Sequence, residues 1–245
     1  MYHFFAEPEQ FSGETVTITG ADAGHMIRVL RMKPGEKILV SSMAGGDWMC
    51  ETETFAADSV ICRILEACDG DRELPARIHL FQGLPKSDKM ELIIQKAVEL
   101  GAFRIVPVAT KNAVVKLEEK KAAQKVSRWN AIALAAAKQS KRSAVPEVSR
   151  VMGFAEALRE AAGFEQKLIP YENAEGISAT RREILSAKPG TDIAVFIGPE
   201  GGFDSAEVAA AEEAGFVPVT LGKRILRTET AGLCILSALM LQLEQ

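Results

Sequence analysis

At 245 residues, with 47% hydrophobic and 25% charged residues, the chain has the composition of an ordinary globular protein, which excludes a disordered or fibrous one. Its 29 Lys and Arg against 33 Asp and Glu give a formal net charge of −4, so the molecule as a whole has no general attraction for polyanions, and nucleic-acid contact must come from local basic patches. The 4 cysteines form no CxxC pair and the 3 histidines, His3, His25 and His79, are scattered, which argues against a disulfide framework and against a metal site.

Glu7, Pro8 and Glu9 interrupt the place where a signal peptide would need its apolar core, and the longest uncharged apolar stretch, Ala231 to Leu243, is shorter than the roughly 20 residues of a membrane span. A cytoplasmic location without membrane contact is expected. Short β-branched runs at Val16–Thr19, Lys37–Ser41, Trp48–Thr52 and Ser59–Leu65, separated by Gly, Pro or Asp, predict a small β-barrel. Between the first of these runs, His25 to Gly35 suits a helical turn that buries Met26, Ile27, Val29 and Leu30 and shows Arg28, Arg31 and Lys33 to water. That basic face is either simply solvated or a contact for an RNA backbone, and the pattern leaves both open. Cys68 to Pro75 is charged, aperiodic and glycine-bearing, the composition of a linker; domains are expected over 1–72 and 73–245.

From Arg77 the pattern changes to alternating strands and helices, which predicts an α/β domain with a mostly parallel sheet covered on both faces. Strand Ile78–Gln82 leads through Gly83-Leu84-Pro85-Lys86 to a helix capped by Ser87 or Asp88, with Met90, Ile93, Ile94, Ala97 and Val98 on one stripe and Gly101 as its stop. Strand Phe103–Ala109 precedes a long helical segment, Leu117 to Lys141, with Val126, Trp129, Ala133, Ala136 and Ala137 inward. It ends in the basic cluster Lys138-Gln139-Ser140-Lys141-Arg142, where the helix dipole itself favours cations. Helix Phe154–Ala162, strand Lys167–Pro170 and helix Ile177–Ala187 follow.

The functional stretch is Asp192 to Ala231. A buried strand, Asp192–Ile197, stops at Gly198-Pro199-Glu200-Gly201-Gly202, and Asp204 with Glu207 marks the start of helix Ser205–Ala214. Gly215, strand Phe216–Leu221 and the loop Gly222 to Thr228 repeat the unit in outline, which sets two loops side by side at the carboxyl ends of parallel strands, where open α/β sheets bind ligands. The first loop lacks the Gly-Lys-Ser/Thr ending of a phosphate loop and is not GxGxxG; it suits the edges of an uncharged adenosine as well as a phosphate. The last helix, Thr228 to Leu243, is apolar nearly all round, and its surplus apolar face is expected at a subunit interface rather than wholly in the core.

These residues resemble a known family. IGPEGGF at Ile197 to Phe203, LGKRILRTETA at Leu221 to Ala231, GLPKSDKMELIIQKAVELG at Gly83 to Gly101, IALAAAKQSKR at Ile132 to Arg142 and HMIRVLRMKPGE at His25 to Glu36 are similar, in order and over essentially the whole chain, to the bacterial 16S ribosomal RNA uracil-N3 methyltransferases, the RsmE family of the SPOUT class. The resemblance implies a PUA-like N-terminal barrel that binds RNA, a C-terminal domain with a deep trefoil knot, S-adenosylmethionine as methyl donor, a homodimer, and 16S rRNA in the small ribosomal subunit as substrate. It implies no metal. Strand and helix periodicity alone would have suggested an unknotted doubly wound sheet.

Carried over by position, the resemblance implies that the donor is held by Leu168, Tyr171 and Glu172, by Ile197, Gly198, Pro199, Glu200, Gly201 and Gly202, and by Leu221, Gly222, Ile225, Leu226, Arg227, Thr228, Thr230 and Ala231. RNA is expected at His25, Arg28, Arg31, Lys86, Lys89, Lys138, Gln139, Arg142, Lys223 and Arg224. Uracil N3 must lose a proton, so a base or a cation that stabilises the anion would help, and Arg227 and Glu200 are the candidate catalytic groups. Each has a second reading: Glu200 as a carboxylate that holds the turn by accepting backbone N–H groups, Arg227 as an ion-pair partner of Glu229 or Glu200. One departure is His3, where relatives often carry arginine. Two other readings are open: a nucleotide-binding oxidoreductase, disfavoured by the missing glycine fingerprint, and a noncatalytic RNA-binding dimer whose glycine loops are structural.

Overall fold

The computed structural model describes residues 1–43, 46–68, 72–174 and 176–244; Asp69, Gly70 and Asp71, the middle of the expected linker, lie outside the described residues. The chain divides into two compact units, one of Met1–Glu73 with Ala137–Val145, the other of Leu74–Ala136 with Pro146–Gln245.

The first unit is built on β1 (His3–Ala6), β2 (Phe11–Ser12), β3 (Thr15–Thr19), the single helical turn α1 (Gly20–Gly24), β4 (Lys37–Ser42), β5 (Asp47–Phe55) and β6 (Ser59–Cys68). They form one 6-stranded sheet in the order β1-β4-β5-β6-β3-β2, antiparallel except for the parallel pair β1 and β4. Period-two burial makes its core: Val16 and Ile18, Ile38 and Val40, and Val60 and Cys62 point inward on successive strands and meet Phe4, Met26 and Met32. Burial pushes the Cys50 and Cys62 thiols up to about 12, so both are inert apolar residues.

After α1 the chain makes a wide turn over His25–Val29, closed by the Leu30 N–H donating to the His25 carbonyl at 2.9 Å. This corrects the sequence expectation for Val29. The wider i to i+5 turn rotates Val29 off the apolar face that Met26 occupies, and it is 65% exposed beside Arg28.

Residues 137–145 are pinned into this unit by polar contacts, mostly half-buried. Lys138 pairs with Asp22 at 2.7 Å, Ser143 donates to Asp47 at 2.6 Å, and Glu73 accepts from Arg142 Nε at 3.1 Å and from the Ser143 and Ala144 N–H groups at 3.0 and 3.2 Å. Asp47 also accepts from Ser41, whose hydroxyl meets His3 Nε2 at 2.7 Å. Burial holds the His3 imidazole down at about 4, against the pull of Asp47, so at neutral pH it is an uncharged member of this network.

The second unit contains β7 (Arg77–Gly83), α2 (Lys89–Glu99), β8 (Arg104–Ala109), α3 (Glu119–Ser140, whose last turn groups with the first unit), β9 (Glu147–Val148), β10 (Met152–Gly153), α4 (Phe154–Glu160), β11 (Gln166–Pro170), α5 (Ile177–Leu185), β12 (Asp192–Ile197), α6 (Ser205–Glu213), β13 (Val217–Val219) and α7 (Thr228–Leu243). Its 7-stranded sheet runs β10-β8-β7-β12-β11-β13 with β9 beside β8, and each of these pairs is parallel. Strand β12, late in the chain, is inserted between β7 and β11.

The stripe expected on α2, Met90, Ile93, Ile94, Ala97 and Val98, is the buried one, and the helix ends where Gly101 adopts φ +83°. Phe81 on β7 stacks on Phe196 on β12 with ring centroids 4.5 Å apart, and Phe154 and Phe216 meet Phe196 edge-on. Such rings contribute roughly 1.5–3 kcal/mol each by burial. At the opposite end of β12, Asp192 accepts from Arg77 Nε at 2.7 Å and bonds His79 Nε2 at 2.8 Å, which clamps the amino ends of the two central strands. No helix among the described residues is long and apolar enough to cross a membrane.

Candidate functional site

In the second unit the carboxyl ends of β11, β12 and β13 open into a cavity of about 460 Å³. Three chain segments wall it: Pro170 to Glu172 after β11, Ile197 to Phe203 without Gly201 after β12, and Thr220 to Thr228 with Ala231 after β13 and at the start of α7. Lys89 reaches in from the first turn of α2.

Each loop is held from behind. The Tyr171 N–H donates to the Val219 carbonyl at 3.0 Å, and the buried Thr180 of α5 donates its hydroxyl to the Thr220 carbonyl at 2.8 Å, tying the first and third segments together. In the middle segment the Gly202 N–H closes a turn onto the Pro199 carbonyl at 2.9 Å, with Gly202 at φ +64°. Asp204 then caps α6, exchanging hydrogen bonds with Glu207 in the capping box that the sequence predicts. The loop after β8 braces this turn: Asn112 Nδ2 donates to the Gly201 carbonyl at 3.2 Å, and the Lys111 N–H donates to Glu207 at 2.8 Å.

The glycines make the cavity possible. At Gly222 the backbone sits at φ +111° and a Cβ would meet nothing within 4 Å, so a side chain there would be strained and would project into open space on the cavity wall. Gly201 serves differently, because a Cβ there would lie 3.1 Å from Asn112; its absence permits the brace.

The charged groups split into paired and unpaired. Lys89 Nζ sits 2.9 Å from Glu200 and 3.3 Å from Glu229, and Glu200 also accepts the Lys86 N–H at 3.1 Å. Burial pushes the Glu200 carboxyl up, but Lys89 and the backbone N–H groups outweigh it and hold it below the ordinary carboxylate value. Of the two roles left open by the sequence, Glu200 therefore has the geometry of the turn-holding carboxylate. Arg227 is exposed at the N-cap of α7, and no ion pair joins it to Glu229 or Glu200; Lys89 holds those carboxylates instead. Lys223 and Arg224 are exposed on the same wall.

Among the expected donor-binding residues, Tyr171, Glu172, Ile197, Gly198, Pro199, Glu200, Gly202, Leu221, Gly222, Ile225, Leu226, Arg227, Thr228 and Ala231 line the cavity. Leu168 lies fully buried within β11 and Thr230 is exposed on α7, and neither these two nor Gly201 is part of the lining. Pro170, Phe203 and Thr220 line it without having been expected; each directly adjoins an expected residue.

Of the expected RNA-binding residues, Lys89, Lys223 and Arg224 fall in the cavity wall and Lys86 is exposed beside it. In the first unit His25, Arg28, Arg31 and Gln139 are exposed, while Lys138 pairs with Asp22 and Arg142 is 4% exposed against Glu73. Among the described residues no cluster of His, Cys, Asp and Glu could hold a metal ion.

Comparison with known proteins bears on the same regions. Residues 72–240 match the model of an RNA methyltransferase domain, and residues 18–65 that of an RNA methyltransferase PUA domain. The ribosomal RNA small subunit methyltransferase E of Bacillus subtilis (strain 168) is 41% identical over 233 residues, 94% of this chain and 91% of that protein. Its Neisseria gonorrhoeae counterpart, solved bound to S-adenosyl methionine, superposes with a TM-score of 0.84 at 35% identity, over 97% of this chain and 96% of that one. A methyltransferase from Legionella pneumophila, solved with the same cofactor, gives 0.84 at 31% identity, over 98% and 96%. With the domain model spanning most of the chain and a relative this similar over nearly its full length, the chain belongs to the ribosomal RNA small subunit methyltransferase E family.

Proposed function

We propose that this protein transfers a methyl group from S-adenosylmethionine to the N3 of a specific uridine in 16S rRNA, acting on the assembled small subunit as a cytoplasmic homodimer. The observation that carries the reading is the glycine-walled cavity at the carboxyl ends of β11, β12 and β13, with in its lining an arginine, Arg227, that has no ion-pair partner among the described residues. Family membership supports the methyl donor, the ribosomal RNA substrate, a closed PUA-like barrel in the first unit and a trefoil knot in the second. It also supports a division of labour in which 1–72 binds RNA and 73–245 carries the chemistry.

The cavity suits the donor. The three loops line the cavity with glycines at 198, 202 and 222, where no side chain fills the space an adenosine would take, and the volume is that of a small-molecule site. When bound, the donor supplies an electrophilic methyl on a sulfonium. What remains for the chain is to orient the uracil and to stabilise the charge that its ring takes up as N3 gives up its proton to solvent water. The Arg227 guanidinium, with no carboxylate partner among the described residues, is placed to face the developing anion on O2 or O4. Glu200 holds the Gly198 turn and Lys89 in place, so positioning and the cation, rather than a dedicated carboxylate base, provide the acceleration.

The test is incubation of unmodified small ribosomal subunits with labelled donor, followed by mapping of the modified base. Label at uracil C5, on ribose or on transfer RNA would overturn the substrate assignment. Turnover on short free RNA equal to that on subunits would overturn the requirement for an assembled particle.

A further inference from the structure

Gln82 is the last but one residue of β7, fully buried, and lies in register opposite Ile197 of β12. Its Nε2 donates to the Gly83 carbonyl at 3.0 Å and to Thr228 Oγ1 at 2.9 Å. Thr228 Oγ1 in turn donates to the Gly198 carbonyl at 2.6 Å. The proton positions follow from the groups involved. A carbonyl only accepts, so the Thr228 proton is committed to Gly198, the hydroxyl oxygen can only accept from Gln82, and both amide hydrogens of Gln82 are used. The amide has one workable orientation.

That orientation leaves Gln82 Oε1 buried without a hydrogen-bond partner among the described residues; it faces Gly232, where a Cβ would lie 3.7 Å away. A buried acceptor in this state is unfavourable, and an apolar side chain of the same length would avoid it. The unfavourable contact is offset by what the amide holds. Gly198 is the first residue of the loop after β12, Thr228 is the first residue of α7, and both line the cavity. Arg227 directly precedes Thr228, so the hydroxyl that fixes Gly198 also fixes the backbone from which the Arg227 guanidinium departs.

We infer that Gln82 and Thr228 work as one relay of positioning residues, coupling the Gly198 loop to the N-terminus of α7 so that the cavity wall and Arg227 keep a single alignment during methyl transfer. This rests on the methyl-donor reading of the cavity. The relay acts through Gly198 and Arg227, and Gln82 itself is not among the lining residues.

The test uses the full-length chain with substitutions Gln82→Met, Thr228→Val, Thr228→Ser and the double Gln82→Met/Thr228→Val. Readouts are thermal midpoint, S-adenosylmethionine affinity by calorimetry, and kcat on small subunits at saturating donor. Gln82→Met removes the orphaned oxygen but also the donors to Gly83 and Thr228, so the midpoint is expected to change little, while kcat falls by about tenfold or more. Thr228→Val should lose a similar factor, Thr228→Ser should recover most of it, and the double variant should be little worse than the poorer single, as two parts of one relay fail together. Should Gln82→Met not fold, the contrast between Val and Ser at 228 still decides. A wild-type kcat in Gln82→Met, multiplicative losses in the double variant, or equal losses for Val and Ser would overturn the relay. A wild-type chain that binds no donor would overturn the cavity assignment beneath it, and the relay with it.

Discussion

Arg227 and Lys89 are both cations at the cavity, yet they are not equivalent. Lys89 is held between Glu200 and Glu229, whereas Arg227, exposed at the N-cap of α7, has no carboxylate partner among the described residues. Replacing Arg227 by Ala is therefore expected to lower kcat by about tenfold to a hundredfold, with a much smaller change in donor affinity, read by methylation assay and calorimetry. Equal losses in both would assign Arg227 to donor binding. Glu200 leads to the opposite pattern. Its carboxyl is already depressed, so it is a poor proton acceptor near neutrality, and the stability it lends is present above its unfolded value and fades only as pH falls through the folded one. Glu200→Gln should weaken donor binding and lower the thermal midpoint while leaving the shape of the pH–rate profile between about pH 6 and 9 unchanged; loss of an acidic limb there would restore Glu200 as a base.

Single elements show how the fold serves the site at a distance. Strand β12 carries the Gly198 loop at one end and Asp192 at the other, and Asp192 is held down at about 2, first by the Arg77 hydrogen bonds and then by His79 against the opposing effect of burial. Because the folded pKa lies below the unfolded one, this clamp contributes fully above about pH 4 and is lost as pH falls toward 2. Asp192→Asn should cost about 1.5 kcal/mol or more in urea unfolding at neutral pH, with the difference from wild type shrinking in acid; a constant difference across that range would refute the assignment.

The bounds of β12, the stripe of α2 and the capping box of α6 were all legible in the sequence because each is written in neighbours: a β-branched run, a 3.6-residue spacing, a carboxylate three residues after a cap. The insertion of β12 between β7 and β11 was not, since strand order depends on pairings between segments far apart in the chain. The same gap explains Lys89. Its place at the start of a helix was readable, but its bridge to carboxylates more than a hundred residues away was not. Val29 failed for a local reason, a turn one residue wider than the helix its spacing suggested.

At the scale of the molecule, α7 buries Ile235, Leu236, Leu239 and Leu243 and leaves Leu241 65% exposed and Cys234 exposed. Under the proposed homodimer this outward face is an interface, and Leu241→Glu should shift sedimentation toward the single chain with little change in the monomer's secondary structure; an unchanged wild-type-like dimer would place the interface elsewhere. The division of the chain has a separate consequence. Asp47 and Glu73 in the first unit take their partners Ser143 and Arg142 from a stretch that arrives only after most of the long helix α3 has been made. The amino-terminal stretch Met1–Glu73 is thus not a detachable cassette. Glu73 takes its partners from a splint encoded about seventy residues downstream, and any chimera that grafts this unit onto another body must transplant that splint as well.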